Sequence, residues 1–135
     1  MLWLLLAGLG LATVSQLLKR RKVHNLSDMH DEDFLRIYKK KFLGSDKIVI
    51  DERKSIAKHI GLPYKKLSPD HRFDELSMYT GFVGEYEVGM GDLADELTEL
   101  CERAAMTKPQ PFPNTVGEFI HEVARIKDEL AARTP

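Results

Sequence analysis

The residues best placed for work beyond folding are Gly91, Asp92, Leu93, Asp95 and Glu96. They stand at the head of an apolar stripe formed by Leu93, Leu97, Leu100, Cys101 and Ala104, at helical offsets of 0, 4, 7, 8 and 11. Asp92 is spaced to cap the first turn of that helix. Asp95, three residues on, supplies a weak form of the capping box. Carboxylates gathered at an exposed helix start favour ionic docking of a basic protein surface.

Other chemistry finds less support. The histidines at 24, 30, 59, 71 and 121 lie on different elements, without H-x-x-x-H or H-E-x-x-H spacing. His30-Asp31-Glu32-Asp33 is dense in ligand atoms, but consecutive helical positions point different ways and cannot close one coordination sphere. Asp70, His71, Asp74 and Glu75 are close in sequence yet have no nucleophile beside them. Gly81 to Gly91 contains no lysine of the kind a phosphate loop needs. Cys101, the single cysteine, lies on the apolar stripe and reads as a small core residue. No catalytic residue, metal site or resident cofactor is expected.

The net charge of −1 conceals a polarity along the chain. Residues 1–22 hold Lys19, Arg20, Arg21 and Lys22 and no acid, which leaves −5 on the remaining 113 residues. An acidic body is a poor match for nucleic acid, which needs a basic face. At 43% apolar and 30% charged residues, the composition suits a folded helical protein.

Several elements must position the candidate site. Met1–Leu18 has no charge, and only Thr13, Ser15 and Gln16 interrupt it with polar side chains. As a helix it would extend about 27 Å, the lower limit for a hydrocarbon core. The basic cluster follows this run, whereas a cleaved signal peptide carries its bases in front. Residues 1–22 are therefore expected to be a single-pass transmembrane anchor in membrane lipid. The N-terminus would lie outside and the C-terminal domain in the cytoplasm.

Residues 23–45 form a connecting helix, with Ser27 or Asp28 as cap, acids at Asp31–Asp33 and bases at Lys39–Lys41. Phe34, Leu35, Tyr38 and Phe42 make its apolar face, and Gly44 ends it. A helix beginning between Asp46 and Asp51 ends at Gly61, with Val49, Ile56 and Ile60 facing inward. Tyr64–Gly91 reads as a long packed connection with a short helical turn near Met78–Val83. Beyond Pro109, Pro111 and Pro113, Thr115 and Glu118 form a T-x-x-E capping box. Val116, Phe119, Ile120, Val123, Ile126 and Leu130 trace the core face of the last helix.

Ile56–Leu62 followed by Lys66-Leu67-Ser68-Pro69-Asp70-His71-Arg72-Phe73-Asp74-Glu75-Leu76 resembles the first helix and loop of acyl carrier proteins. Gly89-Met90-Gly91-Asp92-Leu93 resembles the start of that family's second helix, and Thr115–Ile120 the Thr-Val opening of its last. The resemblance covers roughly residues 46–127. It implies an all-α, carrier-like four-helix bundle over residues 46–135, which the expected transmembrane helix precedes. The carrier serine, which would bear phosphopantetheine, aligns with Asp92, and a carboxylate cannot form that ester. Residues 77–88 are also inserted. The Gly91-Asp92 start is closer to a divergent carrier-like family lacking the serine. The chain is accordingly expected to be a non-catalytic, carrier-like interaction module, docked on the cytoplasmic side through the start of the central helix. The alternatives are a genuine carrier modified on Ser77 or Ser68, or an accessory structural subunit of a membrane complex.

Overall fold

The computed structural model describes residues 2–79 and 85–133, apart from the side chains at 12, 15, 16, 19–22, 24 and 85. Among the described residues, six α-helices and one 3-10 turn follow one another: α1 Leu2–Asn25, α2 Asp31–Lys39, α3 Asp46–Ile60, the turn Tyr64–Lys66, α4 Phe73–Leu76, α5 Glu85–Arg103 and α6 Val116–Arg133.

Helix α3 begins where Ser45 accepts the Ile48 amide on its side chain, and ends where Gly61 takes the left-handed conformation at φ 73°. It is the hub of the bundle, packing against α2, α5 and α6, with α5 and α6 also in contact. Its buried face is Val49, Ile56, Ala57 and Ile60, together with the charged Glu52 and Arg53. Leu93, Leu97, Leu100, Cys101 and Ala104 enter the same core from α5, and Val116, Phe119, Ile120, Val123 and Ile126 from α6. The stripes predicted for α5 and α6 are therefore buried; Leu130 packs partly against the core.

The segment 23–45 joins this core. Phe34 and Tyr38 of α2 are fully buried in the same cluster as the α3, α5 and α6 side chains. The cap expected at Ser27 or Asp28 is absent: His30 precedes α2 and makes no side-chain cap bond. The short helix α4 sits at Phe73–Leu76, earlier than the turn expected near Met78–Val83, most of which lies outside the described residues.

Residues 69–73 are sewn to the entry of α6. Phe73 N–H donates to Asn114 C=O at 3.0 Å, Val116 N–H to His71 C=O at 3.0 Å, and Gly117 N–H to Pro69 C=O at 2.9 Å. At the head of α6 the Glu118 amide donates to Thr115 Oγ1 at 3.1 Å. The Glu118 carboxylate reaches back to the Asn114 amide at 2.9 Å, one residue earlier than in the standard box.

The transmembrane expectation is overturned. Among the described residues, no helix is long and apolar enough to cross a membrane. Helix α1 has 24 residues; Gly8, Gly10, Thr13, Ser15 and Gln16 interrupt its apolar part, and basic sequence follows. The single-pass anchor at residues 1–22, with its outside N-terminus and cytoplasmic C-terminal domain, is thereby corrected. Leu2–Leu6, Leu9, Leu11, Val14, Leu17 and Leu18 are exposed along α1, and Val23 and Leu26, at and just beyond its far end, are where this segment touches the core.

Candidate docking site on the central helix

Helix α5 is already formed at Glu85, seven residues before Asp92. Asp92 is therefore an interior helical position, and the cap expected of Asp92 and Asp95 has no helix end to serve. The glycines that read as punctuation are helical. Gly89 is buried, and a Cβ there would stand 2.0 Å from the His59 carbonyl oxygen. The backbones of α5 and α3 come into direct contact at this point, and glycine permits the approach.

The expected docking residues divide between two faces. Leu93 is fully buried and holds α5 in the core. Gly91, Asp92 and Asp95 are exposed, and Glu96 is half-buried toward α3. Advancing about 100° per residue, the exposed face continues beyond Asp95. Val88, Asp92, Asp95, Glu99 and Glu102 follow one another at steps of four and three residues, all exposed. Glu99 and Glu102 escape a reading confined to the helix start, although the same spacing in the sequence marks them.

None of Asp92, Asp95, Glu99 and Glu102 has an ion-pair partner among the described residues. Elsewhere acids are paired, as in Asp33–Arg36, Asp74–Arg72, Glu122–Arg125 and Glu129–Arg133. Like charges three and four positions apart each cost a helix about 0.2–0.5 kcal/mol. The ridge is thus held at a small expense in stability by the core-facing stripe behind it.

Behind the ridge sits a charged pair that the sequence alone does not single out. Glu52 of α3 is 3% exposed, and its Oε1 accepts from Lys127 Nζ of α6 at 3.0 Å. Its other oxygen, Oε2, is buried without a hydrogen-bond partner. Burial foremost, then the charge of Glu96 across from it on α5, raises the Glu52 carboxyl above its ordinary value of 4.5, against the opposing pull of Lys127. A carboxyl that binds its proton more tightly in the folded state adds stability below the unfolded value. That stability is lost as pH rises through the folded value. Unfolding in urea at a series of pH values should show this group's contribution falling as pH rises from the ordinary carboxylate range. Glu52→Gln, which mimics the protonated form, should flatten that part of the profile; an unchanged slope would exclude Glu52 as its source.

The remaining candidates are accounted for locally. Ser77 is half-buried, its hydroxyl donating to the Asp74 carbonyl at 2.8 Å. The Ser68 hydroxyl oxygen accepts the Asp70 amide at 3.4 Å. His71 Nδ1 accepts the Ser68 amide at 3.0 Å, and burial lowers the pKa of its ring. Cys101 is a free thiol, 1% exposed in the core. Among the described residues no three histidine, cysteine or acidic side chains are grouped to hold a metal ion.

Compared with protein-family models, with curated proteins and with solved structures, the chain matches none of them.

Proposed function

We propose that the chain is a non-catalytic interaction module that docks a partner protein bearing a basic surface along the exposed face of α5. The observation that carries this reading is the unpaired ridge Asp92–Asp95–Glu99–Glu102, set opposite a fully buried stripe on the same helix. Charges that repel within the free protein and are left uncompensated become favourable when a cationic surface covers them. Val88 at one end of the ridge, 66% exposed, gives such a surface an apolar contact. Gly91, with open space around its Cα, lets a partner approach the helix backbone.

The resemblance to acyl carrier proteins supports the same reading in a limited way. Those proteins also work by being docked, and this chain carries Asp92 where they carry the modified serine. The position lies within α5, so a hydroxyl is lacking and a helix end is lacking too.

A helical peptide with lysines every three or four residues is a suitable probe. Added to the labelled protein at low salt, it should shift amides from Val88 to Glu102 and leave the opposite faces of α2 and α6 undisturbed. Neutralising Asp92, Asp95 and Glu99 as Asn, Asn and Gln removes three exposed pairs. At up to about 1 kcal/mol each, these should lower the affinity about tenfold or more. The same variant should melt at a slightly higher temperature, because the like-charge repulsion is gone. Peptide shifts spread evenly over all acidic surfaces, or equal affinity for the neutral variant, would overturn the proposal.

A further inference from the structure

A second surface feature lies on α5, about a third of a turn away from the acidic ridge. Ala94, Leu97 and Thr98 of α5 face Lys108, Pro109, Gln110 and Phe112 of the connection to α6 across a cavity of about 220 Å³. Leu97, Ala94, Pro109 and the ring of Phe112 make its walls apolar. The Phe112 ring is held from behind by Phe119 and Phe73, at centroid distances of 6.0 and 6.5 Å. The Thr98 hydroxyl donates to the Ala94 carbonyl at 2.9 Å, so its proton is spent within the helix.

The donors at this cavity come from the rim. Lys108 is its one charged lining residue, and it has no ion-pair partner among the described residues. The Gln110 amide is also without a partner there. Both are exposed, but their backbone is constrained. Lys108 precedes Pro109, which disfavours helical geometry at the lysine, and Pro109 and Pro111 fix the turns around Gln110. A rim ordered in advance loses less entropy when a ligand arrives.

Size and charge together select a ligand. A cavity of about 150 Å³ lined by apolar side chains holds benzene; this one has room for a ring and a short substituent. We propose that it is a binding site for a small arylalkyl carboxylate. The ring lies against Leu97 and Phe112, and the carboxylate meets the Lys108 ammonium and the Gln110 amide at the rim. Asp95, Glu99 and Glu102, the ridge acids nearest the lining residues in sequence, are all exposed, and salt near 0.15 M screens their repulsion over about 8 Å.

Phenylacetate and its neutral analogue 2-phenylethanol, titrated into the full-length labelled protein at that salt concentration, test the assignment. Phenylacetate should give saturable amide shifts confined to residues 94–98 and 108–112. It should bind about three- to fivefold more tightly than the alcohol, the scale of one exposed charge pair. Lys108→Met should abolish that preference while leaving alcohol binding unchanged. Ala94→Phe, which fills the cavity, should abolish both. Should Ala94→Phe fail to fold, the Lys108→Met comparison stands alone. Shifts that do not saturate or fall elsewhere, or equal affinity for acid and alcohol in the wild-type protein, would overturn it.

Discussion

Replacing Arg53 by methionine is expected to destabilise the protein by about 3–5 kcal/mol, the range for breaking a buried, hydrogen-bonded charge. Arg53 is completely buried on α3. Its Nη1 donates to Asp31 at 2.8 Å, and its Nη2 donates to the carbonyls of Met29 at 2.7 Å and Leu67 at 3.0 Å. The guanidinium lies over the ring of Phe34 at 4.5 Å and near Tyr64 at 5.3 Å. One side chain thus ties the segment before α2 and the segment after α3 to the middle of the bundle. Methionine fills similar space but leaves those carbonyls without a donor, at about 1–3 kcal/mol each.

The Asp31 pair is the lesser part of this cost, because its carboxylate is 42% exposed and regains water when the arginine is lost. Arg53→Lys keeps the charge but not the fork, and should give about half the loss. Asp31→Asn keeps an acceptor and should cost less than about 1 kcal/mol. For a domain of this length the methionine variant should melt roughly 10–20 °C lower. Amides of residues 29–42 should also exchange faster, as α2 loses its tether. An Arg53→Met variant within about 1 kcal/mol of wild type would show that the carbonyls find other donors.

Arg53 also shows what the sequence hides. It sits four residues after Val49 and three before Ile56, on the same face as the apolar residues of α3. Glu52, three after Val49 and four before Ile56, has the same property. Both belong to a run of charges that reads as a solvated face, yet their spacing places them inward. A charge at a core-facing position has to find partners. Those of Arg53 come from residues 22 and 24 positions earlier and 14 later, at separations a periodicity argument does not reach.

Helices α3 and α6 are legible because each combines an apolar stripe with a terminator or a cap; α2 shows only its stripe, since its expected cap is absent and it ends at Lys39, short of Gly44. Gly61 and the Thr115–Glu118 pair are the plainest cases. The connection from Tyr64 to Gly91 is less legible, since short turns such as Phe73–Leu76 are set by long-range backbone bonds to residues 114–117. The N-terminal run misleads because freedom from charge is not by itself a span: among the described residues no helix is long and apolar enough to cross a membrane. Of the residues expected at the start of the central helix, Asp92 and Asp95 are exposed, whereas Leu93 belongs to the core. Placing a helix start at Asp92 takes the glycines before it as an end signal, whereas they lie inside α5.

Two neighbouring glycines on α5 test that last point, with opposite signs. At Gly89 a new methyl would meet the His59 carbonyl oxygen at 2.0 Å and its carbon at 2.7 Å. Both atoms are backbone, so no side-chain rotation relieves the clash, and α5 has to move off α3 along their shared interface. Alanine's better helix propensity returns up to about 1 kcal/mol, but overpacking of this kind costs about 1–3 kcal/mol and sometimes more. Gly89→Ala should therefore lose up to about 2 kcal/mol net, with faster exchange along the α3–α5 contact. At Gly91, in the same helix, nothing lies within 4 Å of the place a methyl would take. There alanine meets no atom and only stiffens the unfolded chain, so Gly91→Ala should gain about 0.5–1 kcal/mol. If α5 began at Asp92, position 91 would lie outside it and neither effect would appear. Urea unfolding of the two variants separates the alternatives: opposite shifts place the backbone of α5 against His59 and carry the helix through both glycines. Equal, small shifts would put the helix start back at Asp92 and remove the continuous ridge from Val88 to Glu102.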